Sequence, residues 1–222
     1  MPNRAPDLAW DQQESPQPRG LTRAAIVRAA VEAADEEGLE GASIRRVAAR
    51  LGARPMSLYT HIASKDDLID LMLNEVIGEV IVPEPFPADW REALRQIALR
   101  SLVAVTSHPW IIDAYARRPH LGPNAMRHAE QTAAAVAPLG LDAEAAWTVT
   151  GIVDDYTFGH AMRHIGIEQR TLPRRIEVEI DPATFPHLAR MAPDGMPHHL
   201  EGSFELGLDA VLDGIERRFA SK

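Results

Sequence analysis

Apolar residues recur at helical spacing along most of the chain. Ile26, Val27, Ala30, Val31 and Ala34 predict a helix over about 23–37, with Thr22 as N-cap and Gly38 as stop. Ile44, Val47, Ala48 and Leu51 predict a second helix, capped by Ser43 and broken at Gly52. Arg54 precedes Pro55, so its backbone is pushed away from helical angles, whereas proline suits a first helical position. A short third helix is therefore expected over about 55–62. Leu58 and Ile62 would face inward, Arg54, Ser57 and His61 would share an outward side, and Met56 and Thr60 would flank it. Ser64 caps a fourth helix with Asp66 and Asp67 in its first turn and a broad apolar face from Leu68 to Val80.

Pro83, Pro85 and Pro87 then form a stiff break. Beyond it, helices are expected over about 89–107, 124–137 and 142–165, with a short segment at 110–115 between the first two. Residues 166–202 hold five prolines and predict a long loop with one short helix. A last helix, about 203–220, carries Phe204, Leu208, Val211, Leu212, Ile215 and Phe219 on one stripe. Gly207 and Gly214 lie inside it, where glycine costs about 1 kcal/mol relative to alanine, so a partner helix is expected to approach closely there. With the Ala/Gly-rich helix at 142–165, this marks a dimer interface. The expected organisation is all-α: a disordered arm at 1–19, a small helical domain with a helix-turn-helix pattern at 20–82, and a larger helical domain, with the dimer interface, at 83–222.

Composition narrows the class. The 222 residues are 45% apolar but only 5% aromatic, which suits packed helices, and there is no cysteine for disulfides, thiolate metal sites or a cysteine nucleophile. No run approaches the roughly 18 apolar residues of a membrane span, and no secretion signal opens the chain, so a cytoplasmic protein is expected. The net charge is −9, yet residues 41–65 carry five basic side chains and no acidic one: Arg45, Arg46, Arg50, Arg54 and Lys65. A basic island on two short helices with a tight break points to DNA.

The stretch LYTHIASKDDLIDL at 58–71, preceded by EEGLEGAS and IRRVAARLG, resembles the tetracycline-repressor (TetR) family of bacterial regulators. The resemblance extends more thinly through LVAVTSH at 102–108, LGLDAEAAW at 139–147, DDYTFGH at 154–160 and FELGLDAVLDGIE at 204–216. It implies an all-helical homodimer, each small domain placing its third helix in a major groove of a palindromic double-stranded operator. Two helices from each C-terminal domain would form the dimer interface. A small-molecule effector would shift the fourth helix and release the DNA.

The resemblance also assigns residues. Tyr59 and Lys65 match positions that grip the DNA backbone, and Arg45 matches one that reads a base, where arginine suits guanine. Arg54, Pro55, Met56, Ser57, Thr60 and His61 match the reading helix. Thr60 replaces the bulky aromatic of the tetracycline repressors themselves, so a different operator is implied. Thr22 and Ser43 place helix N-termini toward phosphates. For the effector, His108, Trp110, Tyr115, Met126, Gln131, Trp147, Tyr156 and His160 form a candidate apolar pocket with polar anchors. The competing reading is a helical small-molecule or metal-binding protein, or an enzyme using the C-terminal histidines, since His160 and His164 are four apart on one helix. No nucleophile with a positioned base and no glycine-rich phosphate loop is recognisable, so no catalytic residue, cofactor or metal ligand is assigned.

Overall fold

A computed structural model of the chain describes residues 21–115, 122–168, 175–176, 178–194, 196–197 and 202–220. The expected arm at 1–19 lies outside the described residues. The fold is all-α. Its first four helices are α1 (Arg23–Glu37), α2 (Ile44–Arg50), α3 (Pro55–Leu58) and α4 (Lys65–Val80). They are followed by α5 (Trp90–Ser107), α6 (Ile111–Tyr115), α7 (Pro123–Val136), α8 (Ala143–Glu168), α9 (Pro186–Met191) and α10 (Ser203–Ile215). A π-helical turn, Glu216–Ala220, continues α10. Two dipeptide strands, β1 (Arg175–Ile176) and β2 (Met196–Pro197), pair antiparallel within the stretch expected to be a loop. No helix among the described residues is long and apolar enough to cross a membrane.

The described residues cluster into two compact units that divide between Asp142 and Ala143. In the first, the stripes of α1, α2 and α4 close one core: Ile26, Ala30, Val47, Leu58, Leu68, Met72 and Val76 are essentially inaccessible. That core does not stop at the proline-rich stretch. Ala104 of α5, Trp110, and Ile111 and Ala114 of α6 belong to it, so the first unit runs well past residue 82. Local chemistry sets the helix ends. The Thr22 hydroxyl accepts from the Ala25 N–H at 3.1 Å, and the Ser64 hydroxyl accepts from the Asp67 N–H at 3.0 Å.

The break between α2 and α3 is a Schellman turn. Gly52 N–H donates to the Ala49 carbonyl at 3.1 Å and Ala53 N–H to the Ala48 carbonyl at 2.9 Å. Gly52 sits at φ +62°, which glycine adopts without a Cβ penalty, and Arg54 then runs extended into Pro55. The third helix is shorter than expected, four residues rather than eight. After Leu58 the chain tightens, and His61 N–H bonds to the Leu58 carbonyl at 2.9 Å, three residues back.

The second unit is built on α8 and α10. Tyr156 of α8 stacks on Phe204 of α10 with ring centroids 5.4 Å apart, and its hydroxyl donates to the Phe204 carbonyl at 2.8 Å. The close approach expected at Gly207 is made within the chain. A Cβ there would lie 2.1 Å from the Tyr156 hydroxyl, whereas one at Gly214 would meet nothing within 4 Å. Gly207→Ala is therefore expected to destabilise the protein by about 1–3 kcal/mol through overpacking. Gly151→Ala in α8, where an added Cβ meets nothing within 4 Å, should instead be neutral or stabilising. Urea unfolding of the two variants checks the contrast.

Candidate functional site

The outward surface of α2 and α3 is assembled by subtraction. Arg46 of α2 is ion-paired with Glu37 at the end of α1. Arg50 pairs with Glu36, Nη1 donating at 3.0 Å, and its Nε lies 3.5 Å from Glu32. The hydrogen bond from Arg50 holds the Glu36 carboxyl below its ordinary range. Lys65, at the start of α4, stands 3.6 Å from Glu40. Three of the five island cations are thus faced by acids from α1 and the turn after it. Arg45 and Arg54 are exposed and join no ion pair among the described residues.

Around these two arginines lie Pro55, Met56 and Ser57, all exposed, and Tyr59, 46% exposed. The Thr60 hydroxyl donates to the Ser57 carbonyl at 2.7 Å, so its polar end is already engaged. Ser43 occupies the N-cap position of α2 but makes no capping hydrogen bond, while Thr22 caps α1 as expected.

His61 departs from its expected outward place. It is only 5% exposed, and neither ring nitrogen finds a hydrogen-bond partner among the described residues. Its carbonyl accepts from the Arg23 Nε at 3.1 Å. The tightening after Leu58 is the reason. Residues three apart eclipse one another in such a turn, so His61 follows the buried Leu58 inward instead of sharing a face with Arg54 and Ser57.

The residues expected to line an effector pocket divide between the two units, His108, Trp110, Tyr115, Met126 and Gln131 in the first and Trp147, Tyr156 and His160 in the second. Trp110 is 2% exposed, and its indole N–H donates to Asp35 of α1 at 2.7 Å. His108 Nδ1 lies 2.7 Å from the same Asp35 oxygen, and its Nε2 lies 3.3 Å from a Glu79 oxygen of α4. Gln131 of α7 spends both ends of its amide on one residue, accepting from the Val82 N–H at 2.9 Å and donating to the Val82 carbonyl at 2.7 Å. Trp110 and Gln131 are thereby structural fasteners. Tyr115, Met126 and Trp147 are exposed at 40%, 59% and 73%. In the second unit, buried His160 packs edge-on to Phe204 at 5.0 Å, beside Tyr156. No three His, Asp or Glu side chains converge as a metal site among the described residues.

Sequence reasoning missed Asp35, Glu79 and Arg100. Arg100 of α5 donates to the last carbonyls of α4, to Glu79 at 2.6 Å and to Val80 at 3.2 Å, which no intrahelical N–H can reach. With Glu79, Leu99, Val103 and Ala104 it lines an open cleft of about 370 Å³ in the first unit. Asn124 of α7 holds Asn74 of α4, backbone N–H to side-chain oxygen at 2.9 Å and side-chain amide to carbonyl at 2.8 Å. The C-terminal half of α4 is therefore pinned by polar side chains of α5 and α7. No sequence signal marks partners so far apart in the chain.

Asp154 is half-buried on α8. Burial first, then the neighbouring Asp155 charge, pushes its carboxyl up to about 6. A raised carboxyl binds its proton more tightly when folded, so stability falls as pH rises from about 4 to about 6 and stays lower above that. Asp154→Asn should therefore stabilise the protein by about 1–3 kcal/mol at pH 7.5, with little gain at pH 4. Thermal unfolding at the two pH values checks this.

Comparison with known proteins places these features. A family model described as bacterial regulatory proteins, tetR family, matches residues 26–72, and one described as tetracyclin repressor-like, C-terminal domain, matches residues 82–219. The chain is 34% identical to the HTH-type transcriptional repressor DrrR1 of Streptomyces coeruleorubidus, over 96% of this chain and 85% of that one. Among solved structures, apo ActR from Streptomyces coelicolor is 28% identical with a TM-score of 0.70, over 92% of this chain and all of that one (100%). ActR in complex with actinorhodin is 27% identical with a TM-score of 0.73, over 90% and 98% of the two chains.

Proposed function

We infer the function from one premise: this chain belongs to the tetracycline-repressor (TetR) family of bacterial regulatory proteins. It is a ligand-responsive, DNA-binding transcriptional repressor. In the reading we propose, two copies hold a palindromic operator, and a small organic effector releases it. The observation that carries DNA binding is the pair of unneutralised arginines, Arg45 and Arg54, on the exposed side of a Schellman-linked helix pair. Residues 20–82 act as the reading domain and residues 83–222 as the effector and dimerisation domain.

Each part has a physical role. Arg45 and Arg54 read base edges or phosphate, with Ser57, Thr60 and Pro55 shaping the fit in the groove. Tyr59 and Lys65 grip the backbone. The exposed Lys65–Glu40 pair contributes little in water, so Lys65 exchanges Glu40 for a phosphate at small cost. His61 supports the turn from within.

Dimerisation falls to α8 and α10. They carry exposed large apolar side chains, Trp147 at 73% and Met162 at 55% on α8 and Leu206 at 75% on α10, which a second copy would cover. ActR was solved with actinorhodin, and by likeness the effector here is an organic molecule. Its route to the DNA runs through α4, whose C-terminal half is held by Arg100 and Asn124, with Gln131 holding Val82 just beyond its end. A ligand that moves α5 or α7 moves that end of α4. A differential affinity of about 1–3 kcal/mol between the two arrangements is enough to change operator occupancy measurably. The protein acts as a regulator rather than an enzyme and calls for no cofactor.

Gel shift with DNA from upstream of its own gene tests the reading. A specific complex that Arg45→Ala weakens at least tenfold is expected, and binding no tighter than to random DNA at moderate salt overturns it. For the assembly, Leu206→Glu is expected to convert a dimer to a monomer in sedimentation velocity and to lose operator binding.

A further inference from the structure

We propose that Met56 is a sequence-reading residue whose thioether side chain packs against the C5-methyl group of a thymine in each operator half-site. The inference rests on the reading above and adds what the operator must contain. Met56 is 74% exposed, the most exposed large apolar side chain among the described residues of the first unit. It follows Pro55 at the start of α3 and is flanked by exposed Arg54 and Ser57. An apolar group left in water on the face that carries the unneutralised cations gains only when that face is covered.

The other side chains of α3 and its turn narrow what it can meet. Leu58 and His61 point into the core, and the Thr60 hydroxyl is held by the Ser57 carbonyl. Of the side chains of α3 that stay exposed, the Pro55 ring and the Met56 thioether are the apolar ones, beside the Ser57 hydroxyl. In the major groove the thymine C5-methyl is the one apolar group that projects from the base edges, whose other recognition features are hydrogen-bond donors and acceptors. A guanine or cytosine under Met56 would leave a polar base edge desolvated and unpaired. Methionine is unbranched and polarisable, so it can settle over a methyl group without a demanding fit.

The test uses the full-length protein and the operator fragment defined by gel shift. Each thymine of the half-sites is replaced in turn by uracil, which lacks only the methyl group, and affinity is read by fluorescence anisotropy. Wild type is expected to lose about 3- to 10-fold at one thymine per half-site, the value of burying one methyl group. Met56→Ala should bind the unmodified operator more weakly by a similar factor and be indifferent to that same replacement. Met56→Leu should retain the sensitivity. Because Met56 is exposed, the variants should keep the wild-type unfolding midpoint, which confirms that binding alone has changed. If wild type and Met56→Ala respond identically to every uracil, or no uracil matters, this inference fails while operator binding stands. If wild type binds no fragment specifically, the repressor reading fails first and takes this inference with it.

Discussion

One carboxylate oxygen of Asp35 receives two groups, the Trp110 indole N–H and the His108 ring, each at 2.7 Å. Asp35 lies near the end of α1, the helix that backs the reading pair α2 and α3. Trp110 and His108 lie at the corner between α5 and α6. Burying an indole requires a partner for its N–H, and losing that partner leaves an unsatisfied group worth about 1–3 kcal/mol. The hydrophobic demand of Trp110 therefore anchors the corner between α5 and α6 to α1. His108 extends the tie to Glu79 on α4. Helices α1, α4 and α5 are consequently held as one packed group, which is why the core crosses the proline-rich stretch.

The same helix α1 shapes the chemistry of the DNA face. Its acidic end, Glu32, Glu36 and Glu37, takes up Arg46 and Arg50 of α2. These are exposed pairs, each contributing little to stability, but together they decide which cations remain for DNA. Arg45 of α2 and Arg54 of the turn are exposed and join no ion pair among the described residues. An acidic protein thus presents a narrow basic edge instead of a broad basic surface. Long-range attraction to any polyanion is weak, and binding depends on a few contacts made at close range.

The helices α8 and α10 obey a different constraint. Tyr156 fills the space that a side chain at Gly207 would occupy and hydrogen-bonds the first turn of α10. This fixes the two helices against each other. Their remaining apolar side chains, Trp147, Met162 and Leu206, are left outward as a result.

The sequence by itself determined the helices and their caps, the glycine at the break, the basic island and the family. All of these follow from spacing and residue type over short distances, which helical periodicity and capping chemistry dictate locally. Tertiary structure alone decided which polar residues were available. Gln131 and Trp110, expected to line a pocket, bond Val82 and Asp35, partners that no local pattern names. Arg46 and Arg50 counted only as members of the basic island until acids 9 and 14 residues away paired with them. His61 looked outward until one tightened turn carried it in behind Leu58. A periodic pattern assigns a side chain to a face of its own helix. It carries no information about the residue on another helix that meets it there, because that partner is set by packing between segments distant in the chain.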